Sequence, residues 1–202
     1  MKDSAQPRDV KGEILDATDL LLAGNGYKKM TIDDLAAAVG IGKGSVYLHF
    51  KSKEEIVLSH IDRIIERLKA RLDDIAKKKT PCDRRLREML VERVVFRFDS
   101  VQHYTQSLND VLSQIRPQFL ERRKRHFDEE ARIFASIIKE GVDRGEFTAI
   151  NAKETAASFL IATNSLLPYS LSTQDLDERA EIEKRTLKVA DLLLKGLITR
   201  KG

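Results

Sequence analysis

From Val10 onward, apolar residues recur at intervals of three and four, the period of helices buried along one side. Ile14, Leu15, Thr18, Leu21 and Leu22 share one such face, and Gly24-Asn25-Gly26 predicts its stop. Thr31, with Asp34 three residues on, has the form of a capping box and predicts a short helix over residues 32–39, ended by Gly40. A second short helix is predicted over residues 43–50. Ser52, with Glu55 three residues on, opens a long helix whose stripe is Val57, Ile61, Ile64, Ile65, Leu68, Leu72 and Ile75. It runs out in Lys77-Lys78-Lys79, cations suited to a helix C-terminus, before the break at Thr80-Pro81.

The remainder has the same period. One helix carries Leu86, Met89, Leu90, Val94, Phe98 and Val101, and a shorter one holds Leu108, Val111, Leu112 and Ile115 and ends before Pro117. A long helix contains Phe127, Ala131, Phe134 and Ile138 and stops near residues 141–145. Asn151 caps another through Leu167, a polar loop covers residues 172–177, and a last helix carries Ile182, Val189, Leu193 and Leu197. No alternating pattern of strands occurs. The expected fold is all-α, with about nine helices: a loose arm over residues 1–9, a three-helix head over 10–55, and a helical body over 56–202 joined to it by the long helix.

Composition narrows this only a little. Of 202 residues, 42% are hydrophobic and 34% charged, enough for a sizeable core and for helices with wet outer faces. The net charge of +4 suits a polyanion-binding protein without requiring one. In the head the bias vanishes, since residues 1–53 hold eight Lys/Arg against seven Asp/Glu. The single cysteine, Cys82, excludes an internal disulfide, and His60, His103 and His126 lack ligand spacing, so neither metal nor cofactor is expected. A polar N-terminus and the lack of a long apolar run lead us to expect a cytoplasmic protein without a membrane span.

Candidate chemistry lies in residues 31–50. Two steeply crossing helices need a small residue at their contact and a turn residue that tolerates positive φ; Ala36 and Gly40 meet those needs. Leu35, Val39, Ile41 and Val46 supply the apolar packing. The segment therefore reads as a helix-turn-helix whose second helix enters the major groove of DNA. Its outward side is Lys43, Gly44, Ser45, Tyr47, Leu48 and His49, and residues 40–53 hold three lysines and no acid. Lys43 and Ser45 can donate to base edges or phosphates, Gly44 permits close backbone approach, and Tyr47 offers a hydroxyl to a phosphate. Thr31 and Lys53 stand at helix starts, where unpaired N–H groups attract phosphate. The DNA-binding candidates are thus Thr31, Lys43, Gly44, Ser45, Tyr47, His49 and Lys53.

This segment resembles the TetR family of transcriptional regulators over residues 10–57, through G-Y, T-I-x-D-L-A, G-x-x-K-G-x-x-Y-x-x-F and K-E-E. It departs from the family at Gly42, where a serine often caps the recognition helix. The body resembles the family in E-G-V-x-R-G-E-F (residues 140–147) and in helix layout. The resemblance implies a homodimer held by the last two helices, a ligand pocket among the middle ones, and repression of a near-palindromic operator relieved by ligand.

In the body, the residues themselves leave more open. The helix over 151–167 is apolar around much of its girth, which predicts burial on two sides, one against a partner subunit. Interface candidates are Ala156, Leu160, Leu167, Val189, Leu193 and Leu197. Pocket candidates are Phe96, His103, Tyr104, Phe127, Phe134, Phe159 and Asn164, which suit a mainly apolar small-molecule inducer. The basic run 121–126 reads as a solvated face. The rival readings are a helical protein-interaction scaffold that does not bind DNA and, with no catalytic constellation to support it, an α-helical enzyme.

Overall fold

A computed structural model describes residues 8–168 and 178–197. Among these, the chain forms eight α-helices and no strand element: α1 Val10–Lys29, α2 Ile32–Val39, α3 Lys43–His49, α4 Lys53–Ala76, α5 Cys82–Val101, α6 Thr105–Asp143, α7 Ala152–Asn164 and α8 Arg179–Lys195. A single 3-10 turn, Gln102–Tyr104, joins α5 to α6. The all-α architecture expected from the sequence holds, while the predicted loop over 172–177 lies outside the described residues.

Local chemistry sets the helix ends. Thr31 and Asp34 form the predicted capping box: Thr31 Oγ1 accepts from Asp34 N–H and Asp34 Oδ2 accepts from Thr31 N–H. Ser52 accepts from the Glu55 N–H, and Asn151 from those of Lys153 and Glu154. Gly26, at φ 70° and ψ 168°, breaks α1 one turn before its end. Arg8 and Asp9 are held to the head: Asp9 accepts from Gly12 N–H, and Arg8 pairs with Glu13 and donates to the Val39 carbonyl at 2.7 Å.

α1 runs past the predicted stop to Lys29 and α7 ends at Asn164, but the largest departure from the sequence reading lies at Pro117. The two helices predicted on either side of Pro117 are one, α6, of 39 residues. Proline removes a single N–H and leaves the Ser113 carbonyl without its helical partner. Ser113 and Pro117 both face solvent, so water can meet that carbonyl.

The helices bury two main cores. The head core contains Ile14, Leu22, Met30, Leu35, Val46 and Ile56, and Val111 and Ile115 of α6 pack into it. The body core contains Leu68, Leu72, Leu86, Met89, Leu90, Phe134, Ile138, Phe159 and Leu160. The segment 140–147 ties α6 to α5. Gly145, at φ 71°, turns the chain, and Glu146 and Phe147 N–H both donate to the Gly141 carbonyl. Glu146 then accepts from the first N–H of α5, at Cys82, and Glu140 holds Arg85. Phe147 seats its ring over Gly141, where a Cβ would lie 2.2 Å from it. Gly141→Ala is therefore expected to lower stability by about 1–3 kcal/mol, an overpacking cost, in chemical denaturation. An unchanged midpoint would show that the Phe147 ring can shift.

Candidate nucleic-acid interface and body cavity

Helix α3 owes its position to small residues beneath it. Ala36 is buried at the crossing, and Leu35 and Val46 are wholly buried beside it. Gly40 adopts φ 71°, and its N–H and that of Ile41 close onto the carbonyls of Ala37 and Ala36. Only a residue at ease with positive φ permits this turn, which brings α3 across α2. Gly42 caps α3 without a side-chain hydrogen bond.

The outward face of α3 gathers most of the predicted DNA contacts. Lys43, Gly44 and His49 are exposed, Tyr47 is 49% exposed and Ser45 is half-buried. Lys43 lies 2.8 Å from Asp33, which raises the pKa of its ammonium through that hydrogen bond. Such an exposed pair is worth little, so a phosphate can replace the carboxylate at small cost. Leu48, absent from the predicted contacts, is 85% exposed at the same face. Its signal was in the sequence: a leucine on the outer side of a recognition helix has no core to fill and can meet a thymine methyl.

Thr31 and Lys53 sit differently. The Thr31 hydroxyl is engaged with Asp34 in both directions, accepting its N–H and donating to its carboxylate at 2.7 Å. Lys53 donates to the carbonyls of Tyr27 and Met30, each at 3.1 Å, and lies 4.2 Å from the centre of the Tyr27 ring. It caps the C-terminal end of α1, where a cation is favoured. Burial pushes the Tyr27 phenol's pKa up, reinforced by its hydrogen bond to Glu54.

In the body, a cavity of about 90 Å³ opens between α4, α5 and α6. Of the predicted pocket residues whose side chains are described, only Phe127 lines it. Phe134 and Phe159 are buried in the body core, Phe96 lies under the Arg71 guanidinium at 5.0 Å, and His103 is exposed. The side chain of Tyr104 lies outside the described residues. Asn164 stands behind the cavity, accepting from Arg93 at 2.8 Å.

The cavity's charged lining escaped the sequence reading. Arg93 donates to Glu130 at 2.8 Å and to Thr163 at 2.9 Å, and Arg97 donates to the other Glu130 oxygen and to the Arg93 carbonyl. All three charged side chains are buried. Burial alone would push the Glu130 carboxyl up, but Arg97 and Arg93 hold it below the usual range. The basic run 121–126 is also partly turned inward, since Arg122 pairs with Glu55 and Asp62 and His126 bonds Asp62 at 2.7 Å. Glu66, His126 and Glu129 each bring one possible metal-ligand atom within 4.8 Å of the others, yet Lys69 already sits on both carboxylates.

The interface candidates separate by burial. Ala156, Leu160, Leu167 and Leu197 are buried within this chain, so they pack its own core rather than a partner. Apolar character around α7 reflects its contacts with α5, α6 and α8 of the same chain. Val189 and Leu193 are half-buried, and the outward residues are Ile161 (63% exposed) and Leu192 (68% exposed).

A helix-turn-helix with an open recognition helix, mounted on a helical body with its own cavity, defines a DNA-binding regulator. Residues 14–59 match the family model described as bacterial regulatory proteins, tetR family, and residues 118–187 match the tetracyclin repressor-like C-terminal domain. The chain belongs to the TetR family of transcriptional regulators. It is 26% identical over 151 residues to the HTH-type transcriptional repressor KstR2 of Mycobacterium tuberculosis, covering 71% of this chain and 72% of that protein. It is 27% identical over 199 residues to the HTH-type transcriptional regulator YfiR of Bacillus subtilis, covering 88% and 90%. A transcriptional regulator from Cytophaga hutchinsonii superposes with a TM-score of 0.75 at 25% identity, over 92% of this chain and 97% of that one. Among the described residues, no helix is long and apolar enough to cross a membrane.

Proposed function

We propose that this chain acts as a homodimeric repressor that leaves a near-palindromic operator when a small molecule fills the body cavity. The observation that carries the ligand response is a set of shared residues. Ile61, Val101, Leu112 and Phe119 line the cavity and also pack against the head core. A ligand that moves them moves the seat of the head, and so the spacing of two heads on DNA. The outward apolar residues Ile161 and Leu192, with Val189 and Leu193 beside them, support dimerisation through α7 and α8. The head is drawn as residues 10–55 and the body as 56–202, coupled through α4 and the N-terminal half of α6. The protein works in the cytoplasm, without cofactor or catalytic step.

On the DNA, Lys43, Ser45 and Leu48 face base edges. Thr31, Tyr47, His49 and Lys53 approach phosphates, and Gly44 admits the backbone. Selection of bound sites from random DNA, then anisotropy titration at several salt concentrations, tests this assignment. Lys53→Ala is expected to weaken binding to every sequence alike and to reduce the salt slope by about one. An unaltered slope would confine Lys53 to its role at the end of α1.

A further inference from the structure

The floor of the body cavity carries more positive charge than its own carboxylate neutralises. Two arginines, Arg93 and Arg97, share the single buried Glu130. Arg93 is fully engaged, with Glu130, Thr163, Asn164 and the Leu160 carbonyl as partners. Arg97 is not. Its side chain is 8% exposed, it lines the cavity, and its Nε–H is buried without a hydrogen-bond partner. A buried guanidinium N–H left without an acceptor is a costly omission, and a small turn of the Arg97 side chain toward an acceptor in the cavity would make it good. Above this floor the walls are aliphatic and aromatic, including Ile61, Ile65, Leu112 and Phe127.

We propose that the cavity takes a small amphipathic carboxylate, whose head accepts from Arg97 while its tail lies against those walls. The proposal rests on the ligand-responsive reading above and names its ligand class. A carboxylate is a planar monoanion, matched to a guanidinium edge and to one uncompensated positive charge. A phosphate dianion would bring more charge than the floor offers, where Glu130 already answers one of the two arginines; Arg122, on the same lining, is paired with Asp62 and Glu55. Neutral ligands would fill the apolar walls but accept more weakly from Arg97. The modest volume favours short tails.

The test compares octanoate with octanamide, which has nearly the same shape and no charge. Calorimetric titration of the full chain at neutral pH is expected to show octanoate binding about tenfold to a hundredfold more tightly, the ratio given by a hydrogen bond to a charged acceptor. Arg97→Met should abolish that preference. It leaves Glu130 balanced by Arg93, so the variant is expected to fold. Glu130→Gln should act in the opposite direction, tightening octanoate and not octanamide, because two arginines then face the ligand; a merely structural cluster predicts no such gain. Equal binding of the two compounds, or of neither, overturns the proposal and assigns the space above Arg97 to water. Displacement of selected DNA is measured alongside. Release by both compounds alike would keep the ligand-responsive reading and overturn the carboxylate class. Charge-selective binding without any release would keep the class and overturn the responsive reading.

Discussion

Replacing Glu130 by alanine is expected to lower the stability of this protein more than any other single change to a charged residue among those described. The substitution leaves Arg93 and Arg97 buried side by side, without the carboxylate that both address. Removing one partner of a buried ion pair typically costs about 3–5 kcal/mol, chiefly because the remaining charge keeps its desolvation penalty. For a chain of this length, that corresponds to a fall in melting temperature of roughly ten degrees, readable by circular dichroism. The sign with pH follows from the lowered carboxyl. A folded-state pKa below the unfolded value gives stability that is present above the unfolded value, about 4.3, and is lost as pH falls through the folded one. The gap between wild type and Glu130→Ala should therefore be full at neutral pH and shrink on acidification. A variant that melts within two degrees of wild type at pH 7 would show that the two arginines find water once the acid is gone.

Why this cluster stayed hidden in the sequence is instructive. Leu86 and Met89 mark a buried stripe on α5, and Arg93 and Arg97 follow Met89 at intervals of four. On α6, Phe127, Ala131 and Phe134 mark another, with Glu130 inside it. Read by residue type, the charges look like interruptions of the stripe; read by position, they belong to it. Two arginines and a glutamate on adjoining apolar faces can be buried only together, and periodicity within one helix does not say which helices adjoin. The same limit explains α7. Its apolar girth was legible, but whether the second buried side met a partner or its own chain depended on how α5 and α6 pack around it. Pro117 was misleading for a different reason, because a helix breaker is tolerated where the freed carbonyl meets water.

The head was legible because its determinants are local. Gly40, Ala36 and the Thr31–Asp34 box act within a few residues of one another, so spacing alone fixes the crossing of α2 and α3. What spacing did not show is that several polar groups of the proposed DNA interface are already engaged within the head: Lys43 with Asp33, Lys53 with two carbonyls and Thr31 with Asp34. On the proposed interface, docking on DNA would exchange these contacts for phosphate contacts. Affinity is then a difference between two sets of charged interactions, and a strong dependence on salt is expected.

Gly44→Asp separates the fold of the head from its function. Gly44 lies in the first turn of α3, and a Cβ there would meet nothing within 4 Å. An aspartate at that place favours the helix twice over. It replaces glycine, the poorest ordinary helix former, at a gain of about 0.5 kcal/mol. Its negative charge also sits at the positive end of the helix dipole, worth about 0.3–1 kcal/mol. The melting temperature should hold or rise slightly. Facing DNA, the same carboxylate meets phosphate oxygens and acceptor-rich base edges with no cation dedicated to it. Like-charge contact of this kind costs several kcal/mol, and in a dimer both heads carry it. Affinity for selected DNA is expected to fall at least about a hundredfold at low salt. Calorimetric melting beside anisotropy titration reads both quantities on one preparation. If Gly44→Asp bound the selected DNA within threefold of wild type, α3 would not lie in the groove by its N-terminal turn, and the interface would have to be redrawn around another face of the head.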